Sequence, residues 1–253
     1  MVDLRIENET AILTLNREEK RNALSPSLIC EFVLKFKACE NDETIKTIVI
    51  TGAGKAFSAG ADLQYLQNIR ENSIGENDLD SSLITELILT VYESYKPTIA
   101  AVNGPAIAGG CGLATACDFI IADAQSAMLG YSEVKIGFLP AIVSFLLLRR
   151  ISEFKARQLL ISAEILNAER ALQIGLVDIV SNDALKEAVE LAEKLNLNSP
   201  ESIKQTKHLI RTIKNLDHRE AVRISQKYNV ISRTTEEFRT GIDKFLNKQE
   251  TLK

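Results

Sequence analysis

The chain has 253 residues, 45% hydrophobic and 25% charged, with a formal net charge of −4. That length suits one large domain or a domain with an appendage, and the balance is that of a chain able to bury a sizeable core. Disorder and strong basicity are excluded, and the net charge offers nucleic acid no bulk attraction. In chain order, LRIE and AILTLN alternate around Asn8-Glu9 and predict a hairpin. SPSLICEFVLKFKACEND predicts a helix with Ser25 as N-cap and Pro26 in its first turn. IKTIVITG (45–52) reads as a buried strand ending at glycine, and GAGKAFSAGADLQYL as a glycine-rich loop opening a helix at about Ala61. Residues 72–82 are polar and read as mobile, LITELILTVYESY as an amphipathic helix and PTIAAV as the next strand. GGCGLATAC (109–117) predicts a tightly packed helix whose first turn is almost all glycine, followed by strand-like FIIADA and AMLGY. A helix starts near Pro140, EFKARQLLISA and NAERALQIG give two more, and LVDIV is a last short strand. From NDALKEAVELAEKL onward the pattern is helical, with starts at Ser199-Pro200-Glu201 and at a Thr234-xx-Glu237 capping box. The expected architecture is α/β to about residue 180 with an all-α appendage.

Pro97–Cys117 is 21 residues without a charged side chain, long enough to cross a bilayer. Asn103-Gly104-Pro105 interrupts it, however, and divides it into a strand and a helix. IVITGAG…FSAGADL and IAAVNGPAIAGGCGL then share one order: strand, glycine loop, helix. Two such loops can aim backbone N–H groups at one point. TGAGKAF is not a phosphate loop, because Val49 and Ala56 stand where a glycine and a Ser/Thr are required, and GGCGLA is not a dinucleotide fingerprint. Cys30, Cys39, Cys111 and Cys117 form no CxxC pair and lie far from His208 and His218, so no metal site is expected. The histidines read as surface residues, Cys111 and Cys117 as packing residues, and the basic strip in IKQTKHLIRTIKNLDHR as a solvated helix face. The start, MVDLRIENET, shows no basic-then-apolar export signal, which with reduced thiols points to the cytoplasm.

KAFSAGADL (55–63), AAVNGPAIAGGCGLATACDF (100–119) and GYSEVKIGFLP (130–140) together resemble the enoyl-CoA hydratase/isomerase (crotonase) superfamily. KRNALS (20–25) resembles its CoA-binding loop, and ARQLLISAEILNAERALQIGLVDIV its following helices, so the likeness covers nearly the whole chain in order. The resemblance implies a crotonase-like spiral of repeated ββα units over residues 1–195, carrying the active site. It implies an all-α C-terminal region, 196–253, for trimerisation and for covering the site. It also implies an acyl-CoA thioester substrate and assembly as a homotrimer or dimer of trimers. No metal or redox cofactor is implied, coenzyme A being part of the substrate. By matching position the backbone N–H groups of Ala61 and Gly109 would form an oxyanion hole for a thioester enolate. Arg21, Asn22, Ala23, Leu24, Ala59, Asp62, Leu63, Gly112 and Tyr131 would contact substrate or CoA, and Phe245 and Lys248 would help cover the CoA of an adjacent subunit.

Hydratases of this family typically use two glutamates. One of the two positions is Gly112 here, and the other matches Glu133, which is therefore the expected acid/base, its pKa raised by apolar walls. PAIVS (140–144) replaces the usual glycine-rich run, so Ile142 and Val143 add bulk near the acyl pocket. A single carboxylate suffices to shift a double bond from the 3- to the 2-position. Hydration would need help from Tyr131, Ser144 or water. The resemblance thus leaves four readings open. They are a hydratase acting on 2-enoyl-CoA, branched and methylglutaconyl-CoA-like included; a single-glutamate isomerase; a decarboxylase or dehydratase on carrier-bound branched chains; and a non-catalytic acyl-CoA- or RNA-binding relative.

Overall fold

The computed structural model describes the backbone of residues 1–250, with the side chains through residue 243 and that of Leu246. The chain divides into two compact units, Met1–Leu195 and a second beginning at Asn196. The first unit opens with β1 (Val2–Glu7), β2 (Thr10–Leu15), α1 (Pro26–Asn41) and β3 (Thr47–Gly52). There follow α2 (Leu63–Asn68), α3 (Ile74–Tyr92), β4 (Thr98–Val102), β5 (Ala106–Ile107) and α4 (Gly109–Ala116). Next come β6 (Phe119–Asp123), β7 (Met128–Gly130), α5 (Ala141–Arg150), α6 (Glu153–Ser162) and β8 (Ile165–Asn167). α7 (Ala168–Gln173), β9 (Ile179–Ser181) and α8 (Ala184–Asn196) complete this part of the chain. The second unit holds α9 (Pro200–Ile213), α10 (His218–Ser232) and α11 (Glu236–Glu250).

Six strands form one sheet in the order β1-β2-β3-β4-β6-β9, antiparallel at β1/β2 and parallel elsewhere. Both faces are covered at the centre of the sheet, which is why β3, β4 and β6 read as continuous apolar runs, whereas the edge strand β1 is largely exposed and alternates. Leu13, Ile48, Ile50, Ala100, Val102 and Ile120 join the main core with α1, α3 and α4. Ile12, Val49, Ile99, Ala101 and Ile121 face the other way, onto Ala184, Ala188 and Ala192. Those three alanines fall at four-residue spacing, so α8 presents a stripe of small residues to the sheet.

A second sheet, β5-β7-β8, collects the short strands. β4-β5-α4 and β6-β7-α5 therefore repeat one ββα order, as the resemblance implies. Neither β5 nor β8 is legible locally, since two or three residues carry no periodicity.

Local chemistry accounts for the element ends. Asn8 and Glu9 both adopt positive φ, the geometry that matches a hairpin's twist. The Ser25 hydroxyl accepts the Leu28 N–H at 3.3 Å, and Leu28, Ile29, Phe32, Val33 and Phe36 line the buried face of α1. Three expectations are corrected. The helix placed at about Ala61 starts at Leu63, because the Asp62 carboxylate is its cap. Residues 72–82 are largely helical: Ser73 and Glu76 close a capping box, with bonds of 3.3 and 2.8 Å, and start α3 at Ile74. The cap of α11 is Thr235, whose hydroxyl accepts the Phe238 N–H at 3.3 Å, whereas the Thr234 hydroxyl turns back to the Ile231 carbonyl.

Candidate active site

Three loops are laced side by side. The 21–24 loop pairs with the 59–62 loop: Ala59 N–H donates to Arg21 O at 3.0 Å, Leu24 N–H to Gly60 O at 2.7 Å and Asp62 N–H to Leu24 O at 3.3 Å. The 57–58 stretch pairs in turn with 105–107, through Phe57 and Ser58 N–H to Pro105 O and Ile107 N–H to Ser58 O at 2.9 Å. Ala108 N–H then reaches Gly130 O at 2.8 Å, tying the second glycine loop to the end of β7, three residues before Glu133.

Glycine makes this lacing close enough. A Cβ on Gly110 would lie 2.3 Å from Ser58 O, so only glycine lets α4 rest on that backbone. Gly60 has φ +83, and a Cβ there would lie 2.6 Å from Ile107 O and 3.3 Å from the Gly109 nitrogen. The two predicted donors are thereby neighbours. In the Leu24↔Ala61 bridge, the bonds run from Leu24 to residues 60 and 62, so the Ala61 N–H faces away from that ladder. Gly109 is the first residue of α4, where an N–H has no intrahelical acceptor, and Ala108 supplies no side-chain cap. Leu24 and Ile84 flank Gly109, each with a methyl carbon within 3.8 Å of where its Cβ would be.

Glu133 starts a short 3-10 turn after β7 and is only 8% exposed. Its Oε2 is buried without a hydrogen-bond partner. Burial pushes its carboxyl above the ordinary carboxylate value. Tyr131 beside it is fully buried, and its hydroxyl lies 2.7 Å from Thr115 Oγ1, which donates to Cys111 O at 2.7 Å. Tyr131 thus anchors the segment to α4 through its hydroxyl. The Ser144 hydroxyl is likewise taken, donating to the Pro140 carbonyl.

Gly112 is buried, and a Cβ on it would lie 2.3 Å from Val143 Cγ1 and 3.7 Å from Ile88 Cδ1. The space beside Gly112 is occupied by α5, not left open for a ligand. Asn22 is buried as well. Its amide nitrogen donates to Ala53 O and Ala56 O at 2.9 and 2.8 Å, so it shapes the loop from within. Arg21 and Leu63 are exposed, Ala59 half-buried, and Ala23 and Leu24 buried at the loop's inner edge. Phe245 and Lys248 lie outside the residues whose side chains are described. Sequence reasoning missed Arg17, whose guanidinium binds Asp62 Oδ2 at 2.7 Å, and Ile84 and Ile88 as walls. Arg17 carries no motif signal, because its partner is 45 residues away.

Among the described residues no three His, Cys, Asp or Glu side chains gather as a metal site requires. No helix among them is long and apolar enough to cross a membrane.

A family model described as enoyl-CoA hydratase/isomerase matches residues 5–252. A Thermus thermophilus protein named "Putative enoyl-CoA hydratase" is 40% identical over 241 residues, covering 94% of this chain and 95% of the relative. The Escherichia coli 2,3-dehydroadipyl-CoA hydratase is 33% identical, covering 94% of this chain and 92% of its own. The crystal structure of an enoyl-CoA hydratase from Polaromonas superposes with a TM-score of 0.93 at 32% identity, covering 98% of this chain and 97% of that one. Laced glycine loops, a buried carboxylate and likeness along almost the entire length agree: the chain is an enzyme of, and belongs to, the enoyl-CoA hydratase/isomerase family.

Proposed function

We propose that the protein binds an enoyl-CoA thioester, stabilises its enolate with the N–H groups of Ala61 and Gly109, and moves protons with Glu133. The observation that carries this reading is a buried carboxylate with one oxygen unpartnered, three residues beyond the strand that holds the second donor loop. Negative charge developing on the thioester oxygen meets two backbone donors, one of them at a helix N-terminus, and one preorganised donor is worth roughly 3–4 kcal/mol. The thioester supplies the activated carbonyl and the backbone the donors, so the reading requires no metal or redox group.

In the hydratase direction Glu133 takes a proton from water as the water oxygen adds to C3, and the protonated Glu133 then delivers that proton to C2 of the enolate. In the isomerase direction Glu133 removes a C2 proton from a 3-enoyl thioester and returns it to C4, leaving the double bond between C2 and C3. One observation favours the second direction: Val143 fills the space that a side chain on Gly112 would need, so no second carboxylate is available there. The names of the relatives favour the first.

Mixing the enzyme with a 2-enoyl-CoA and with the matching 3-enoyl-CoA, and weighing the products, separates the two. Gain of one water from the 2-enoyl thioester identifies a hydratase. Conversion of the 3-enoyl thioester at constant mass identifies an isomerase. Glu133→Gln should lower either turnover by about a thousandfold while keeping CoA-thioester binding; an active variant would sink the assignment.

A further inference from the structure

Arg17 lies outside every motif described above, yet its side chain ties the 21–24 loop to the residue after Ala61. Its Nη1 donates to Asp62 Oδ2 at 2.7 Å and to Ala23 O at 3.3 Å. Its own peptide N–H donates to Asn22 Oδ1 at 2.9 Å, its carbonyl accepts the Asn22 N–H at 3.0 Å, and its Nε lies 3.8 Å from Glu19. The other oxygen of Asp62 accepts the N–H groups of Gln64 and Tyr65 at 3.0 and 3.3 Å. The ion pair is shielded, with side chains 19% and 9% exposed. One guanidinium and one carboxylate therefore span from the 21–24 loop to the residue directly after Ala61.

Beyond Leu24, which joins the core, α2 gives this end of the site little apolar packing. α2 has six residues and none of them is buried. Ala61 is itself exposed, so its peptide is fixed by its neighbours' bonds and not by its side chain. Charge-assisted bonds are shorter and more directional than neutral ones, and an arginine can hold two acceptors at once in fixed geometry.

We infer that Arg17 is a positioning residue for the reaction. Through Asp62 it holds the Ala61 N–H toward the place where the thioester oxygen binds, and through Ala23 it keeps the 21–24 loop in register with that donor. The inference rests on the reading of Ala61 and Gly109 as donors. A donor turned aside weakens the transition state more than the bound substrate, because the oxygen's charge develops only during reaction.

The test compares the full-length wild type with Arg17→Met, Arg17→Lys, Asp62→Asn and the Arg17→Met/Asp62→Asn double variant, well below their melting temperatures. Asp62→Asn keeps an oxygen to cap α2 and so guards against simple loss of folding. Two quantities are read: kcat and KM on crotonyl-CoA or 3-hexenoyl-CoA, whichever the wild type converts, and the infrared carbonyl stretch of bound butyryl-CoA labelled with carbon-13 at the thioester.

Arg17→Met and Asp62→Asn should each lower kcat by about ten- to a hundredfold, with KM changed by less than about threefold. Arg17→Lys should recover part of the loss. The double variant should be no worse than the poorer single one, as expected for two residues acting as a unit. The downshift of the bound carbonyl should shrink in step with kcat. Folded Arg17→Met and Asp62→Asn proteins with wild-type kcat and wild-type carbonyl shift would overturn the inference and leave the pair a structural tie. If the wild type itself shifts no carbonyl, the donor reading fails, and the inference falls with it for that separate reason.

Discussion

The loop that ends at Ala61 and the loop that ends at Gly109 are held by different materials. The first leans on the Arg17–Asp62 pair and on a helix of six residues with none buried. The second is part of the core: every residue of α4 after Gly109 is buried, and Gly110 rests on the Ser58 backbone. The difference teaches that one proposed donor is placed by bonds sensitive to charge and the other by packing sensitive to volume. The buried helix α4 gives a fixed reference against which the longer first loop is set.

The largest break in this arrangement should come from Gly110→Ala. A methyl 2.3 Å from Ser58 O must push the loops apart. We expect a loss of about 2–3 kcal/mol in urea unfolding, with reduced turnover in what remains folded. Wild-type stability would show that the loops are not locked at this point.

A somewhat smaller effect is expected from Gly112→Ala, about 1–2 kcal/mol, because the atom it meets belongs to the side chain of Val143 and not to backbone. Val143→Ala in the same chain should relieve it, so that the double variant costs less than the sum of the singles. Strict additivity would mean that Val143 does not limit residue 112.

The smallest effect sharpens the polar side. The Arg17 guanidinium holds the Asp62 carboxyl below its ordinary value of 3.8. A carboxylate with a depressed folded-state value adds stability above the unfolded value and loses it as pH falls through the folded one. The stability gap between wild type and Asp62→Asn, about 1 kcal/mol at neutral pH for so shielded a pair, should therefore close below 3.8. The gap between wild type and Gly110→Ala has no titrating group behind it and should not close in that window. Equal closure of both gaps would erase the distinction between the loops.

Much of this was legible in the sequence because it is local. Asn8-Glu9 marks its hairpin, Ser25-Pro26 its helix start, and IVI its buried strand, each through chemistry within a few residues. The two strand–loop–helix repeats also announced that their loops belong together, and Ser58↔Ala106 is the bridge that joins them. Short strands such as Ala106–Ile107 were not legible, since they exist only because β7 pairs with them. The polar run at 72–82 has the composition of a loop, yet the Ser73–Glu76 capping pair starts a helix in it.

By itself, then, the sequence determined the α/β order, the glycine loops, the glutamate at 133 and its lack of a partner carboxylate at Gly112. Only the tertiary structure decided that Gly60 sits against Gly109, that Val143 fills the space over Gly112, and that Asp62 answers to Arg17. Those contacts join residues 31 to 49 positions apart. Periodicity and capping act over one or two turns of chain, whereas close approach depends on where the sheet and its loops finally lie.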